Sequence, residues 1–162
     1  MEHLGEFEKN NLQLIWQTGK TNAAFYDNRA HVSNCTWVGE FIEHMDKAYA
    51  CADVVVSRAG AMSIAELCVT KKAVIFVPYP YAAENHQYEN AHYLVQKNAA
   101  LLVKNEDAPT HLFKEITRLA NDENLQHQLS AHIGELAVYN ADEMIAAEIL
   151  NYISKNDDKN LA

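Results

Sequence analysis

The sequence predicts an α/β fold: a doubly wound parallel sheet of the Rossmann-like kind, followed by a helical C-terminal tail. Short runs such as Asp53–Ser57 and Ala73–Val77 are apolar at successive positions, as in strands whose two faces are both covered by helices. These runs alternate with longer segments at helical spacing. Such alternation favours a parallel sheet with crossover helices.

The strands are predicted from apolar and β-branched runs that end near turn residues. The first run ends at Thr18-Gly19, and the fourth is closed by Pro78 and Pro80. The second run is the weakest of the five. The predicted strands are Leu12–Gln17, Cys35–Val38, Asp53–Ser57, Ala73–Val77 and Ala100–Val103.

The helices are predicted from apolar residues that recur every three or four positions. Three of them lie between strands and cover Asp46–Cys51, Ser63–Thr70 and Gln87–Asn98. The pattern after Pro109 is wholly helical, over Ala108–Asn121, Glu123–Val138 and Ala141–Ser154. We interpret residues 1–155 as one domain and the polar residues 156–162 as a frayed tail.

Charge and hydropathy disfavour two classes of function. The formal net charge is −9 over 162 residues, whereas binding to nucleic-acid phosphates needs many Lys and Arg contacts. No apolar run approaches the ~20 residues that cross a bilayer. The N-terminus also lacks the layout of a signal peptide, so a cytoplasmic location is expected.

Cysteines and histidines give no sign of a metal site. The three cysteines are odd in number and form no CxxC pair, so reduced thiols are expected. The eight histidines are scattered and form no HExxH pattern. We therefore expect neither a built-in metal nor a cofactor.

The segment Ser57–Glu66, SRAGAMSIAE, follows a predicted strand, where ligands bind in open α/β sheets. Gly60 permits a tight turn, after which backbone N–H groups at a helix start suit a diphosphate. An alternative is that Ser63 and Glu66 form a capping box, which closes the helix end and needs no ligand. If the helix begins at Ala61 instead, the Glu66 carboxylate is free for a ligand.

Two further segments follow predicted strands. In Pro78–Asn90, Gln87 and Asn90 share one helix face, and their amides suit sugar hydroxyls, although polar caps of a helical turn explain them equally. In Glu40–Met45, a Phe-Ile pair is typical of core packing, or of an aromatic that covers a planar base. We find no catalytic residue pattern in the chain, so it is interpreted as a binding half.

Four segments together resemble one family: WQTGK, EFIEHM, ADVVVSRAGAMSIAE and VPYPYAAENHQYENA. It is the bacterial UDP-N-acetylglucosamine:lipid-linked muramyl-pentapeptide N-acetylglucosaminyltransferase family, which makes lipid II from lipid I in peptidoglycan synthesis. The resemblance runs from about Leu12 to Val103. It implies a two-domain GT-B glycosyltransferase, of which this chain is similar to the C-terminal half that binds the donor, UDP-GlcNAc.

The resemblance also implies residue roles. Phe41 and Ile42 would lie at the uracil, with Ile42 pairing through its backbone, and Glu66 would bind the ribose hydroxyls. The residues that would line the diphosphate are Ala61, Met62 and Ser63. Gln87 and Asn90 would contact the N-acetylglucosamine.

Three other residues of the same motifs receive minor roles from the resemblance. His86 would lie beside the sugar contacts. Arg58 and Gly60 would anchor the loop rather than bind phosphate through a side chain.

The sequence departs from the family pattern at its start. It contains no counterpart of the acceptor-binding N-terminal domain, which would receive lipid I and supply the base, nor of the first strand and its glycine-rich loop. We therefore expect these residues alone to be inactive in transfer. The resemblance places the full-length enzyme peripherally on the cytoplasmic face of the inner membrane.

Two alternatives remain open from the sequence. One is the donor domain of another GT-B glycosyltransferase with a different nucleotide sugar. The other is a non-catalytic nucleotide-binding α/β module, in which SRAGA and HQYEN are only caps and turns.

Overall fold

A computed structural model of the chain describes residues 4–20 and 35–160. All pairings between its strands are parallel, and helices flank them, which confirms the predicted α/β class. The strands are β1 (Leu14–Gln17), β2 (Thr36–Gly39), β3 (Val54–Ser57), β4 (Ala73–Phe76) and β5 (Leu101–Leu102).

The described strands form two sheets rather than the single sheet predicted. β1 pairs with β2, and the other sheet has the order β3-β4-β5. No residue of β1 or β2 is fully buried, whereas every residue of β4 is. An apolar run therefore locates a strand, but it does not specify which strands are neighbours.

From Met45 onward, the described helices agree with the sequence prediction in place and number. The described helices are α1 (Leu4–Lys9), α2 (Met45–Cys51), α3 (Ala61–Thr70), α4 (His86–Gln96), α5 (Ala108–Ala120), α6 (Glu123–Gly134) and α7 (Ala141–Asn160), with a 3₁₀ turn at Ala83–Asn85. α7 continues six residues beyond its predicted end at Ser154, so most of the predicted frayed tail is helical. Residues 161 and 162 lie outside the described part.

The core is built on the two faces of β4. Ala73, Ile75 and Val77 belong to one buried cluster, which includes Leu119 of α5 and Leu129 of α6. The residues between them join a second cluster on the opposite face. That cluster contains Val74, Phe76, Leu67 of α3, Leu94 of α4 and Ile133 of α6. This two-sided burial is the arrangement that the doubly apolar runs predicted.

The C-terminal end of α3 packs closely on α6. Lys71 follows α3 in the left-handed conformation, with φ of 52°, and its N–H donates to the Cys68 carbonyl. Its aliphatic stem lies over Gly134, where an added Cβ would be only 2.9 Å from the Lys71 Cγ. The absence of a side chain at Gly134 thus makes room for Lys71.

The final helix, α7, differs from the others because its described side chains are exposed to solvent. Every residue from Ala141 to Lys155 is exposed, including Ile145, Ile149 and Leu150. In the described chain, α7 is the longest helix, but neither it nor any other helix there is long and apolar enough to cross a membrane.

The core predicts the effect of truncating Leu67, which has no exposed surface. Leu67→Ala should lower the free energy of unfolding by about 2–5 kcal/mol, because it leaves a cavity between α3 and β4. Met62→Ala on the same helix is the control. Its side chain is 75% exposed, so its effect should stay within about 0.5 kcal/mol. Urea unfolding followed by circular dichroism measures both, and equal effects would contradict this view of the core.

Candidate functional site

The carboxyl ends of β3, β4 and β5 finish level with one another. The Val77 N–H donates to the Ser57 carbonyl at 2.9 Å, and the Val103 N–H donates to the Phe76 carbonyl at 2.9 Å. The loops after these strands therefore leave the sheet side by side. Ligands bind at this edge in open α/β sheets.

The N-terminus of α3 follows β3 at this edge and is open. The helix begins at Ala61 with Gly60 as its N-cap, and no side chain caps it. The Ile64 N–H donates to the Gly60 carbonyl at 3.0 Å, but the N–H groups of Ala61, Met62 and Ser63 have no acceptor within the described stretches. Three aligned donors and the positive end of the helix dipole suit an anion such as a diphosphate.

This geometry rules out the predicted capping box. Ser63 lies inside the first turn of α3 rather than at the N-cap, so its hydroxyl is not placed to close the helix end. Glu66 lies in the second turn instead. Its carboxylate is consequently not used as a cap and is exposed at the surface.

The expectation that Gly60 is needed for a tight turn is also wrong. Its φ of −73° and ψ of 147° are accessible to any residue, so the turn does not need the conformational freedom of glycine. An added Cβ at this position would meet no protein atom within 4 Å. A glycine here serves as the N-cap of α3 and leaves open space beside the backbone, into which a ligand could fit.

Arg58 joins the loops after β3, β4 and β5. Its Nη1 lies 2.9 Å from the Val77 carbonyl, 3.1 Å from the Pro78 carbonyl and 2.7 Å from Asn105 Oδ1. The guanidinium also lies over the Tyr79 ring, 5.8 Å from its centroid. These contacts are those of an anchor between loops, and they turn the guanidinium toward protein carbonyls.

Gln87 and Asn90, at the start of α4, each use one polar atom to hold a neighbouring loop. Gln87 Oε1 accepts a hydrogen bond from the Tyr79 N–H at 3.0 Å, and Asn90 Nδ2 donates to the Ala59 carbonyl at 3.2 Å. The Gln87 NH₂ group and the Asn90 Oδ1 have no partner elsewhere in the described chain. One donor and one acceptor are thus left for a ligand.

The 3₁₀ turn before α4 is strained. Glu84 and Asn85 are consecutive and both have positive φ, at 50° and 56°. The exposed His86 ring lies with its Nδ1 2.7 Å from the Ala83 carbonyl. Asn85 also lines an open cavity of about 260 Å³ beside Tyr79. Strain of this kind costs about 1–3 kcal/mol per residue and clusters in binding loops.

The loop after β2 is not buried in the core. Phe41 is 67% exposed, so the interpretation of core packing is wrong for this side chain. Ile42 is half-buried, and its N–H donates to Gln17 Oε1 at 2.9 Å. A base that paired with this N–H would have to displace the Gln17 amide.

Tyr49 of α2 contacts the only carboxylate on α3. Its hydroxyl donates to Glu66 Oε2 at 3.0 Å. Partial burial raises the pKa of Tyr49 to about 12, and the hydrogen bond and the negative charge of Glu66 raise it in the same direction. The phenol is therefore a protonated donor at neutral pH.

Sequence reasoning missed three residues that organise these loops: Gln17, Tyr49 and Asn105. Each acts through a contact with a residue 17 to 47 positions away. No helical or strand spacing predicts such pairs. The one available signal was the position of Gln17 inside the WQTGK segment.

Residues 2–145 match the glycosyltransferase family 28 C-terminal domain. The chain belongs to this family. The family assignment agrees with the open α3 N-terminus and confirms the predicted half of a GT-B glycosyltransferase.

Two relatives of this chain share the enzyme name UDP-N-acetylglucosamine--N-acetylmuramyl-(pentapeptide) pyrophosphoryl-undecaprenol N-acetylglucosamine transferase. The protein of that name from Parabacteroides distasonis is 39% identical over 154 residues, which are 94% of this chain and 42% of that protein. The one from Christiangramia forsetii is 41% identical over 152 residues, which are 93% of this chain and 41% of that protein.

The fold of the chain is also similar to that of a solved structure. The chain superposes on the crystal structure of Acinetobacter baumannii MurG with a TM-score of 0.77 and 29% identity. The match covers 86% of this chain and 41% of that one. The chain therefore spans less than half the length of the relatives that it matches.

The raised pKa of Tyr49 predicts a pH dependence of stability. The folded state holds the phenolic proton more tightly than the unfolded chain does, where the pKa is near 10. The stabilising contribution is complete below about pH 10 and is lost as the pH rises toward 12. The free-energy difference between wild type and Tyr49→Phe should therefore shrink across this window. Urea unfolding at stepped pH measures it, and a constant difference would contradict the Tyr49–Glu66 bond.

Proposed function

We propose that the chain is the donor-binding domain of an inverting glycosyltransferase, which moves N-acetylglucosamine from UDP-GlcNAc to lipid I and so forms lipid II for peptidoglycan. The observation that carries this proposal is the row of unpaired N–H groups at the start of α3, beside a glycine that leaves open space. The name shared by the relatives supports the choice of donor and acceptor.

The α3 amides supply the chemistry that the reaction needs from this half. The acceptor 4-hydroxyl attacks C1 of the sugar, the bond from C1 to the diphosphate oxygen breaks, and UDP leaves with inversion at C1. Negative charge grows on the diphosphate as this bond breaks. The N–H groups of Ala61, Met62 and Ser63 and the helix dipole stabilise that charge.

The nucleoside is proposed to lie across the loop after β2 and α3. The exposed Phe41 ring would cover the uracil, and the Ile42 backbone would pair with its edge once Gln17 moves away. The exposed Glu66 carboxylate would accept hydrogen bonds from the ribose hydroxyls. A carboxylate is a strong acceptor for such donors.

The sugar is proposed to lie at the start of α4. The Gln87 NH₂ and the Asn90 Oδ1 would bind its polar groups, because their other polar atoms already hold the loops. His86 is exposed beside them. We assign no catalytic base to this chain. In the proposal the base and the binding of lipid I belong to an N-terminal acceptor domain, in an enzyme that works on the cytoplasmic face of the inner membrane.

Calorimetric titration of the chain with UDP tests the donor site. Wild type should bind UDP with a Kd of about 1 mM or tighter, and Glu66→Ala should weaken the binding by about tenfold or more, as expected for a hydrogen bond to a charged group. UDP-GlcNAc should compete with UDP better than UDP-glucose or UDP-galactose does. An absence of heat at millimolar UDP would favour a non-catalytic module.

Gly60→Ala separates ligand binding from folding. The backbone at Gly60 fits alanine, but alanine is a poorer N-cap, so the free energy of unfolding should change by no more than about 1 kcal/mol in either direction. UDP affinity should fall by about tenfold or more, because the new methyl group would occupy the space next to the α3 amides. Gly5→Ala in α1, which also meets no atom within 4 Å, should leave UDP affinity unchanged. Unchanged affinity in Gly60→Ala would argue against a phosphate at this position.

A further inference from the structure

Tyr49 lies between the two parts of the nucleoside site. It is on α2, the helix that follows the Phe41–Ile42 loop, and its hydroxyl reaches Glu66 on α3 at 3.0 Å. The bond therefore joins α2, the helix after the loop proposed to hold the base, to the residue proposed to hold the ribose.

The position of this hydroxyl is fixed by packing. The half-buried Tyr49 ring packs against the core cluster that contains Leu67 and Cys68 of α3. A tyrosine has few rotatable bonds, so a ring held in this way places its oxygen with little freedom. The hydroxyl thus presents a nearly fixed hydrogen-bond donor to the surface of α3.

Glu66 has no such restraint of its own. It is exposed, and its Oε1 has no partner among residues 4–20 and 35–160. Immobilising a free glutamate when a ligand binds lowers the affinity for that ligand. The Tyr49 hydroxyl already holds Oε2, and so it fixes the carboxylate before a ligand arrives and leaves Oε1 open.

We propose that Tyr49 is a positioning residue of the donor site, whose hydroxyl holds the Glu66 carboxylate in the orientation that accepts the ribose hydroxyls. The proposal rests on the proposed function, because it assumes that Glu66 contacts ribose. It predicts a specific dependence: the Tyr49 hydroxyl contributes to the binding of nucleotides only through their ribose hydroxyls.

The test compares two nucleotides and a set of variants by calorimetry. Tyr49→Phe keeps the ring and its packing and removes only the hydroxyl. It should weaken the binding of UDP by about three- to tenfold, in the range of one hydrogen bond. It should leave the affinity for 2′,3′-dideoxyuridine 5′-diphosphate unchanged. In a Glu66→Ala background the same substitution should have no further effect on UDP.

A matched control is Tyr152→Phe on α7, whose ring is 69% exposed and which should bind both nucleotides as wild type does. A purely structural role of Tyr49 would weaken both nucleotides equally and would overturn the proposal. The proposal would also be overturned if Tyr49→Phe bound UDP as tightly as wild type while Glu66→Ala bound it more weakly. In that case the proposed donor site would still be supported. If wild type bound no UDP, the proposed function and this inference would fall together.

Discussion

The complete burial of β4 is the constraint on which the positions of the loops after β3, β4 and β5 depend. Its side chains alternate between two core clusters, so the strand cannot slide by one residue without exchanging every side chain between them. β3 and β5 are bonded to its two edges in fixed register. Their carboxyl ends, and the loops that leave them, are therefore level because β4 is fixed.

In the candidate site, polar groups that hold the loops also keep atoms that a ligand could use. Gln87 and Asn90 each form a hydrogen bond to a neighbouring loop through one atom and keep another atom unpaired within the described chain. The Arg58 guanidinium instead donates to loop carbonyls. The N–H groups of Ala61, Met62 and Ser63 have no protein acceptor among the described residues. The loops are thus held by side chains, and the place for a strong anion is supplied by backbone.

The sequence located the elements well because burial on two faces leaves a clear pattern. The runs at β3 and β4 and the helical spacing of α3 and α4 placed these elements within about two residues, which is where periodicity is informative. The sequence could not decide between a capping box and an open helix start at Ser63, because the same local residue pattern is compatible with both structures. Contacts between distant segments, such as Tyr49 with Glu66, leave no periodic trace.

The close packing of Lys71 on Gly134 ties two distant positions together. The lysine keeps a left-handed backbone at the end of α3, and its stem fills the space that a side chain on α6 would need. A larger residue at position 134 would force the Lys71 stem to move unless position 71 becomes smaller, and a glycine at 71 would also relieve the backbone. In any set of natural variants of this domain, these two positions should change as a pair rather than singly.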